Sequence, residues 1–274
     1  MNKLRRVLDE YRALARVLDF GDFLSLVMAT AVNSAHVLRT GKLTSVDAAM
    51  SRNMTVYFGK VRLVLPLADI DQQLRLRNDN PTFGNVRELY ARNCYLCRLH
   101  LNKPQRTVLD LGANRGMFSL LALLALEAEL VVGVEPTLQY STIFERLLEA
   151  NHCDPLRAPR YARFISSPSV ERNDPSQNVS IQTILREQNI KRIDLVKMDI
   201  EGHERVVFDE PEWLANVDNL SMELHPQLAG DLSIIPEALR RYGFDYALTD
   251  QEGNPAGIDS GTFLFASCIG ALVY

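Results

Sequence analysis

An excess of basic charge is missing from this sequence: 30 lysines and arginines stand against 34 acids, for a formal net charge of −4. There is thus no electrostatic case for a phosphate backbone as partner, and nucleic acid is not expected. Long apolar runs are missing too. The best, Phe23 to Val32, is about half of the ~20 residues that a spanning helix needs, so no transmembrane segment is expected. The basic opening Met1-Asn2-Lys3-Leu4-Arg5-Arg6 is interrupted by Asp9, Glu10 and Arg12 before any apolar stretch or cleavage site, so no signal peptide is expected. Cysteine is scarce, with four residues at 94, 97, 153 and 268. A chain with a sizeable core needs no disulfide framework, and a reducing cytoplasm fits best. Cys94-Tyr95-Leu96-Cys97 has redox or half-zinc spacing, but no second pair accompanies it. With Val86 to Leu101 reading as a helix, the four cysteines are expected to be small buried core residues. No repeat or low-complexity segment occurs.

What is present is a 47% hydrophobic composition over 274 residues, enough for one large domain with an N-terminal addition. Leu4, Val7, Leu8, Tyr11, Leu14, Ala15 and Leu18 follow the i, i+3, i+4, i+7 rule and predict an amphipathic helix. A second helix is expected over about 22–38, before Thr40-Gly41-Lys42. Met54–Phe58 and Val61–Leu67, parted by Gly59-Lys60, read as a hairpin. After the polar stretch 69–85 and the helix bearing Cys94, Asn102-Lys103-Pro104-Gln105 marks a turn. Residues 1–103 are accordingly expected to form an extension serving as substrate lid or homo-oligomer contact, and 104–274 the catalytic domain.

From Thr107 short apolar runs alternate with helical segments, the pattern of a doubly wound α/β domain with a mostly parallel sheet. Seven strands are expected: Val108–Leu111, Leu130–Glu135, Ala162–Ser166, Ile193–Asp199, Leu220–Leu224, Phe244–Leu248 and Thr262–Ser267. Only a turn around Gln251–Pro255 separates the last two, which should pair antiparallel at a sheet edge.

Val108-Leu-Asp-Leu-Gly-Ala-Asn-Arg-Gly116 runs from a strand through a two-glycine turn into the apolar helix Met117–Leu126. A dinucleotide fingerprint would have a third glycine and bring a pyrophosphate to the helix N-terminus. Here Asp110 precedes the turn. An acid there suits a cation, and S-adenosylmethionine carries both a sulfonium and an α-ammonium. Glu135-Pro136 ends the second strand, 25 residues after Asp110, where a carboxylate can bind a ribose diol.

These residues, together with Asp194-Leu-Val-Lys197-Met-Asp199-Ile-Glu201-Gly202-His203-Glu204, resemble the FkbM family of methyltransferases. The resemblance is tight from Val108 to Glu204, looser to about Cys268, and slight over the first hundred residues. It implies a class I methyltransferase-like fold, with seven mostly parallel strands and an antiparallel C-terminal hairpin. It also implies O-methylation of sugars, polyketides and related natural products. Carried over by position, Asp110, Gly112, Asn114, Gly116 and Glu135 would hold the cofactor, with Phe118, Pro136 and Asp199 beside them. Ser166 and Ser167, within Asn151–Ser180, would meet the adenine.

Methyl transfer is an in-line displacement that leaves the protein to align the nucleophile, exclude water and help the hydroxyl lose its proton. The groups at the strand ends are Asp199, Glu201 and His203 after the fourth strand, and Glu223 and His225 after the fifth. His225 is the first choice as general base, with a purely structural histidine as the alternative. His203 could equally start the next helix with Glu204 at its positive end. Asp199 and Glu201, alternating along an extended chain, should point opposite ways, one of them free to cap a helix or bind Lys197. Asp199, Glu223 and His225 form an alternative magnesium-type set, less favoured than plain hydrogen-bonding roles. The expectation is an S-adenosylmethionine-dependent O-methyltransferase acting on a small-molecule or glycoside hydroxyl. Its rivals are a non-catalytic cofactor-fold module working through partner binding and a nicotinamide-dependent oxidoreductase. NAD binding would mark the second. The first would tolerate His225→Ala in vivo.

Overall fold

The computed structural model describes residues 3–40, 42–75, 79–101 and 104–273, with side chains from residue 8 onward and up to residue 74 in the second stretch. The turns expected at Gly41 and at Asn102-Lys103, and the side chains of Leu4 and Val7, lie outside these. The chain forms two compact units, Met1–Cys94 with Glu145–Cys153, and Tyr95–Phe144 with Asp154–Tyr274.

In the first unit, helix Lys3–Val17 buries Leu14 and Val17, while Leu8, expected on the same face, is 50% exposed. Helix Phe20–Thr40 follows. Strands β1 (Asn53–Phe58) and β2 (Val61–Pro66) pair antiparallel, with Phe58 opposite Val61. The two-residue turn works because Gly59 takes φ +60°, which primed hairpin turns require. Met54 and Val56 on one strand, and Leu63 and Leu65 on the other, are buried with the period of two that a half-covered sheet imposes. The Asn151 side chain clamps Val64 from both sides, accepting from its N–H and donating to its C=O, each at 2.8 Å. Arg87 ties Glu10 (2.7 Å) to Asp47 (2.8 and 3.0 Å), so these three buried charges are paired as burial demands.

The helix expected from Val86 to Leu101 is shorter. A turn of α-helix at Phe83–Asn85 widens into π-helix over Val86–Ala91, and Asn93 at φ +51° ends it. Cys94 and Cys97 therefore sit in a turn. The cysteines are not the buried core residues expected: Cys97 is exposed and Cys94, Cys153 and Cys268 are half-buried.

In the second unit, β3 (Thr107–Leu111), β4 (Leu130–Val134), β5 (Arg160–Tyr161), β6 (Phe164–Ser166), β7 (Asn178–Ser180), β8 (Ile193–Met198), β9 (Val217–Glu223), β10 (Asp245–Thr249) and β11 (Phe263–Ser267) follow one another. Seven of them make one sheet, in the order β10-β11-β9-β8-β3-β4-β5. Only β11 runs antiparallel, to both β9 and β10. This is the class I methyltransferase-like fold with its C-terminal hairpin. The interior strands are largely apolar because helices cover both faces of a parallel sheet, and the polar residues inside them, Asp110 on β3 and Lys197 on β8 among them, are buried. Helix Met117–Ala125, apolar nearly all round, is buried from Met117 to Leu123. The third strand departs from expectation: Arg160–Tyr161 fills its place, and Phe164–Ser166 leaves the sheet to pair with β7. Sequence order reverses between β3 and β8, and a crevice opens beyond the strand ends at such a switch point.

Candidate cofactor and acceptor site

A cleft with about 550 Å³ of empty space, counted to its open mouth, lies at that point, lined by Gly112 after β3, Glu135 and Pro136 after β4, Phe164 and Ile165 on β6, and Asp199 to Glu201 and His203 after β8. The turn after β3 is held by main chain: Gly112 and Ala113 both donate to Val134 C=O at 2.9 Å. Gly112, at φ +73°, could not be any other residue, since a Cβ there would lie 1.7 Å from the Asp199 carbonyl oxygen.

Glu135 is 8% exposed. Its carboxylate accepts from Asn114 N–H (3.0 Å) and Thr137 N–H (2.9 Å). A carboxylate has about four acceptor positions, so a ribose diol can still be received, and the two N–H donors fix its direction. Apolar Phe164, Ile165 and Ile200 offer flat walls for a base, and Asp199 and Glu201 supply negative charge for a cationic ligand. The lining thus fits S-adenosylmethionine.

Asp110 does not contribute that charge. It is fully buried, accepts from Ser119 Oγ at 2.6 Å and pairs with Lys197 Nζ at 3.2 Å. Lys197 Nζ also donates to Gly112 C=O at 2.7 Å. Asp110 and Lys197 are register partners on β3 and β8, so side chains meet across the ladder and lock the glycine turn from beneath. The carboxylates facing the cleft are Glu135, Asp199 and Glu201.

Other residues expected at the cofactor also move to supporting roles. Gly116, at φ +83°, is required because a Cβ would fall 2.0 Å from the Phe144 ring. Asn114, at φ +46°, spends its side chain on Arg115 N–H (2.8 Å). Phe118 is buried edge-on to Tyr95, with ring centroids 6.0 Å apart. Ser166 and Ser167 are buried, Ser167 capping helix Pro168–Asn173, while their neighbours Phe164 and Ile165 line the cleft.

The acceptor-side groups converge more than the sequence suggests. β8 stops at Met198 and Glu201 adopts φ +52°, so the extended alternation that would separate Asp199 from Glu201 does not apply, and both reach the cleft. His203 precedes helix Glu204–Phe208 and lies against Phe164, ring centroids 5.6 Å apart. Glu204, fully buried in that helix's first turn, holds His225 Nδ1 at 2.7 Å. His225 Nε2 faces Glu201 Oε2 at 3.5 Å and Asp199 Oδ1 at 4.0 Å. Glu223, expected with Asp199 and His225 in a metal set, accepts instead from Tyr95 Oη at 3.1 Å. Among the described residues the cluster that forms is Asp199, Glu201 and His225. Tyr95, whose single O–H is shared between Glu223 and the nearer Asp199 Oδ2 at 2.8 Å, escaped the sequence reading because it lies in a turn read there as helix.

The Glu204 hydrogen bond, helped by the charges of Glu204, Asp199 and Glu201 and opposed by burial, pushes His225 up to about 9. At neutral pH it is an imidazolium, which donates at Nε2 and cannot take a proton, so the sequence's first choice of general base is not ready for that task. A raised folded-state value means the pair stabilises fully below the unfolded value near 6.5 and loses that contribution as pH rises through about 9. Proton NMR should find His225 titrating at about 9 rather than near 6.5, and Glu204→Gln should return it toward 6.5.

Residues 154–246 match the methyltransferase FkbM domain. The match takes in β5 to β9, with Asp199, Glu201, His203 and His225, and begins after the glycine turn and Glu135. No curated protein matches the chain. Solved structures similar to it include the ribosomal protein L11 methylase of Lactobacillus delbrueckii subsp. bulgaricus, at 18% identity over 61% of this chain and 71% of that one, TM-score 0.38. The N-terminal domain of human METTL16 in complex with SAH matches at 15% identity over 59% of this chain and 60% of that one, TM-score 0.40. The human methyltransferase 10 domain containing protein matches at 15% identity over 61% of this chain and 72% of that one, TM-score 0.39. No helix among the described residues is long and apolar enough to cross a membrane.

Proposed function

We propose that the FkbM domain transfers a methyl group from S-adenosylmethionine to a hydroxyl of a small natural product or sugar. The observation that carries this reading is the placement of Glu135 on one wall of the switch-point cleft and of Asp199 and Glu201 on another. In this reading Glu135 holds the ribose, Phe164, Ile165 and Ile200 flank the base, and the acids at the end of β8 attract the sulfonium and ammonium. The bound cofactor supplies an activated methyl and its own leaving group. The chain's residues bind it, exclude water, and hold the acceptor oxygen beside Asp199, Glu201 and His225, in line with the methyl–sulfur bond. The electrostatics of that cluster govern how readily the oxygen sheds its proton.

Residues 1–103 serve as substrate lid or subunit contact. Exposed apolar side chains on helix Phe20–Thr40, among them Phe20, Met28, Val32 and Leu38, support the latter. The scarcity of cysteine, four residues in 274, agrees with a reducing cytoplasm.

Purified chain given S-adenosylmethionine with a labelled methyl group, together with a panel of hydroxylated small molecules and glycosides, should move label into an ether. Label appearing only in added RNA or protein would overturn the acceptor class, and tight binding of NAD would overturn the cofactor.

A further inference from the structure

We propose that Asp199, Glu201 and His225 bind one divalent cation of the manganese class, set beside the cleft to hold the acceptor hydroxyl; this rests on the methyl-transfer reading above. One donor atom from each residue lies within 4.8 Å of the others, and metal–ligand bonds of roughly 2.1 Å need only a modest drawing-in of the exposed Glu201 carboxylate toward the half-buried Asp199 and His225. The donors are already turned inward by a second layer of groups. Tyr95 Oη occupies Asp199 Oδ2, leaving Oδ1 toward His225. Glu204 takes the His225 Nδ1 side at 2.7 Å, leaving Nε2 toward the two carboxylates.

Glu204 is the independent observation. It is fully buried; Oε1 meets Nδ1 and Gly202 N–H (3.2 Å), and Oε2 has no hydrogen-bond partner among the described residues. A carboxylate behind an imidazole, pressing the other ring nitrogen outward, is the usual second layer of a metal-bound histidine. Charge points the same way. Asp199, Glu201, Glu204 and Glu223 gather here, while Lys197 pairs with Asp110 at 3.2 Å and stands 4.0 Å from Asp199. Two carboxylate oxygens with one imidazole nitrogen suit Mn²⁺ better than Mg²⁺ or Ca²⁺, which prefer oxygen alone.

The cation takes the place of the Nε2 proton. The Glu201 side chain is 78% exposed, so coordination positions stay open toward solvent. An acceptor hydroxyl binding there would lose its proton to water more readily through Lewis-acid polarisation.

The test titrates Mn²⁺ alone into chelator-treated full chain, followed by the EPR signal of free Mn²⁺, with calorimetry of S-adenosylhomocysteine on the same samples. The expected result is one Mn²⁺ per chain, bound at least tenfold more weakly by His225→Ala and about 10–100-fold more weakly by Glu204→Gln, with S-adenosylhomocysteine still bound by both. Equal Mn²⁺ affinity in His225→Ala, or no Mn²⁺ in a wild type that binds S-adenosylhomocysteine, would overturn the cation site alone. Failure to bind S-adenosylhomocysteine would overturn the methyl-transfer reading beneath it.

Discussion

Replacing Lys197 with methionine should cost about 3–5 kcal/mol, because it strands a buried carboxylate. Asp110 has no exposure, and after the change its remaining side-chain partner is the Ser119 hydroxyl at 2.6 Å. The Gly112 carbonyl also loses the ammonium 2.7 Å away. At about 2–4 °C per kcal/mol for a chain of this size, melting should fall by roughly 10 °C. The double variant Asp110→Asn with Lys197→Met should recover most of that loss, since removing both charges leaves no unpaired ion. A single Lys197→Met variant melting with the wild type would mean that Asp110 is not held as an ion by this pair.

Gly112→Ala should abolish cofactor binding as well as destabilise the fold. The residue would have to keep a left-handed φ at a cost of about 1 kcal/mol, and its new methyl would sit 1.7 Å from a main-chain oxygen of Asp199. That oxygen belongs to the turn that carries the acceptor-side acids, so relief requires the turns after β3 and β8 to part. We expect about 3 kcal/mol of stability lost and at least a hundredfold loss of S-adenosylhomocysteine affinity. Gly116→Ala is the informative comparison, because its methyl meets the Phe144 ring at 2.0 Å. Shortening Phe144 to leucine in that background should restore part of the stability, whereas no side-chain deletion can rescue Gly112→Ala. Near-normal binding by Gly112→Ala would contradict the close approach of the two turns.

The sheet was legible because buried parallel strands are written as apolar runs punctuated by turns, and six of the seven strands fall where those runs lie. The exception, Arg160–Tyr161, is two residues long and carries no such pattern. At the site, the turn around Gly112 and the carboxylate of Glu135 could be read from position at a strand end. Asp110 could not, because an acid before a glycine turn looks the same whether it faces a ligand or a lysine on the neighbouring strand. The signal that separates the two is Lys197, a lone cation inside the apolar run Ile193–Met198 that must find a partner when buried. Asp199 and Glu201 were misplaced by assuming extended chain where Glu201 turns left-handed. Glu204 and Tyr95 come from the far side of a helix start and from a turn, so their meeting with His225 and Asp199 is a product of tertiary structure.

Calorimetric titration of wild type and Glu135→Gln with S-adenosylmethionine measures most directly whether this acidic cleft accepts a cationic sulfur cofactor. One ligand should bind per chain, and the variant should bind it about 10–100-fold more weakly, the worth of hydrogen bonds to a charged group. Absence of binding by the wild type, or equal affinity in the variant, would contradict such a cleft.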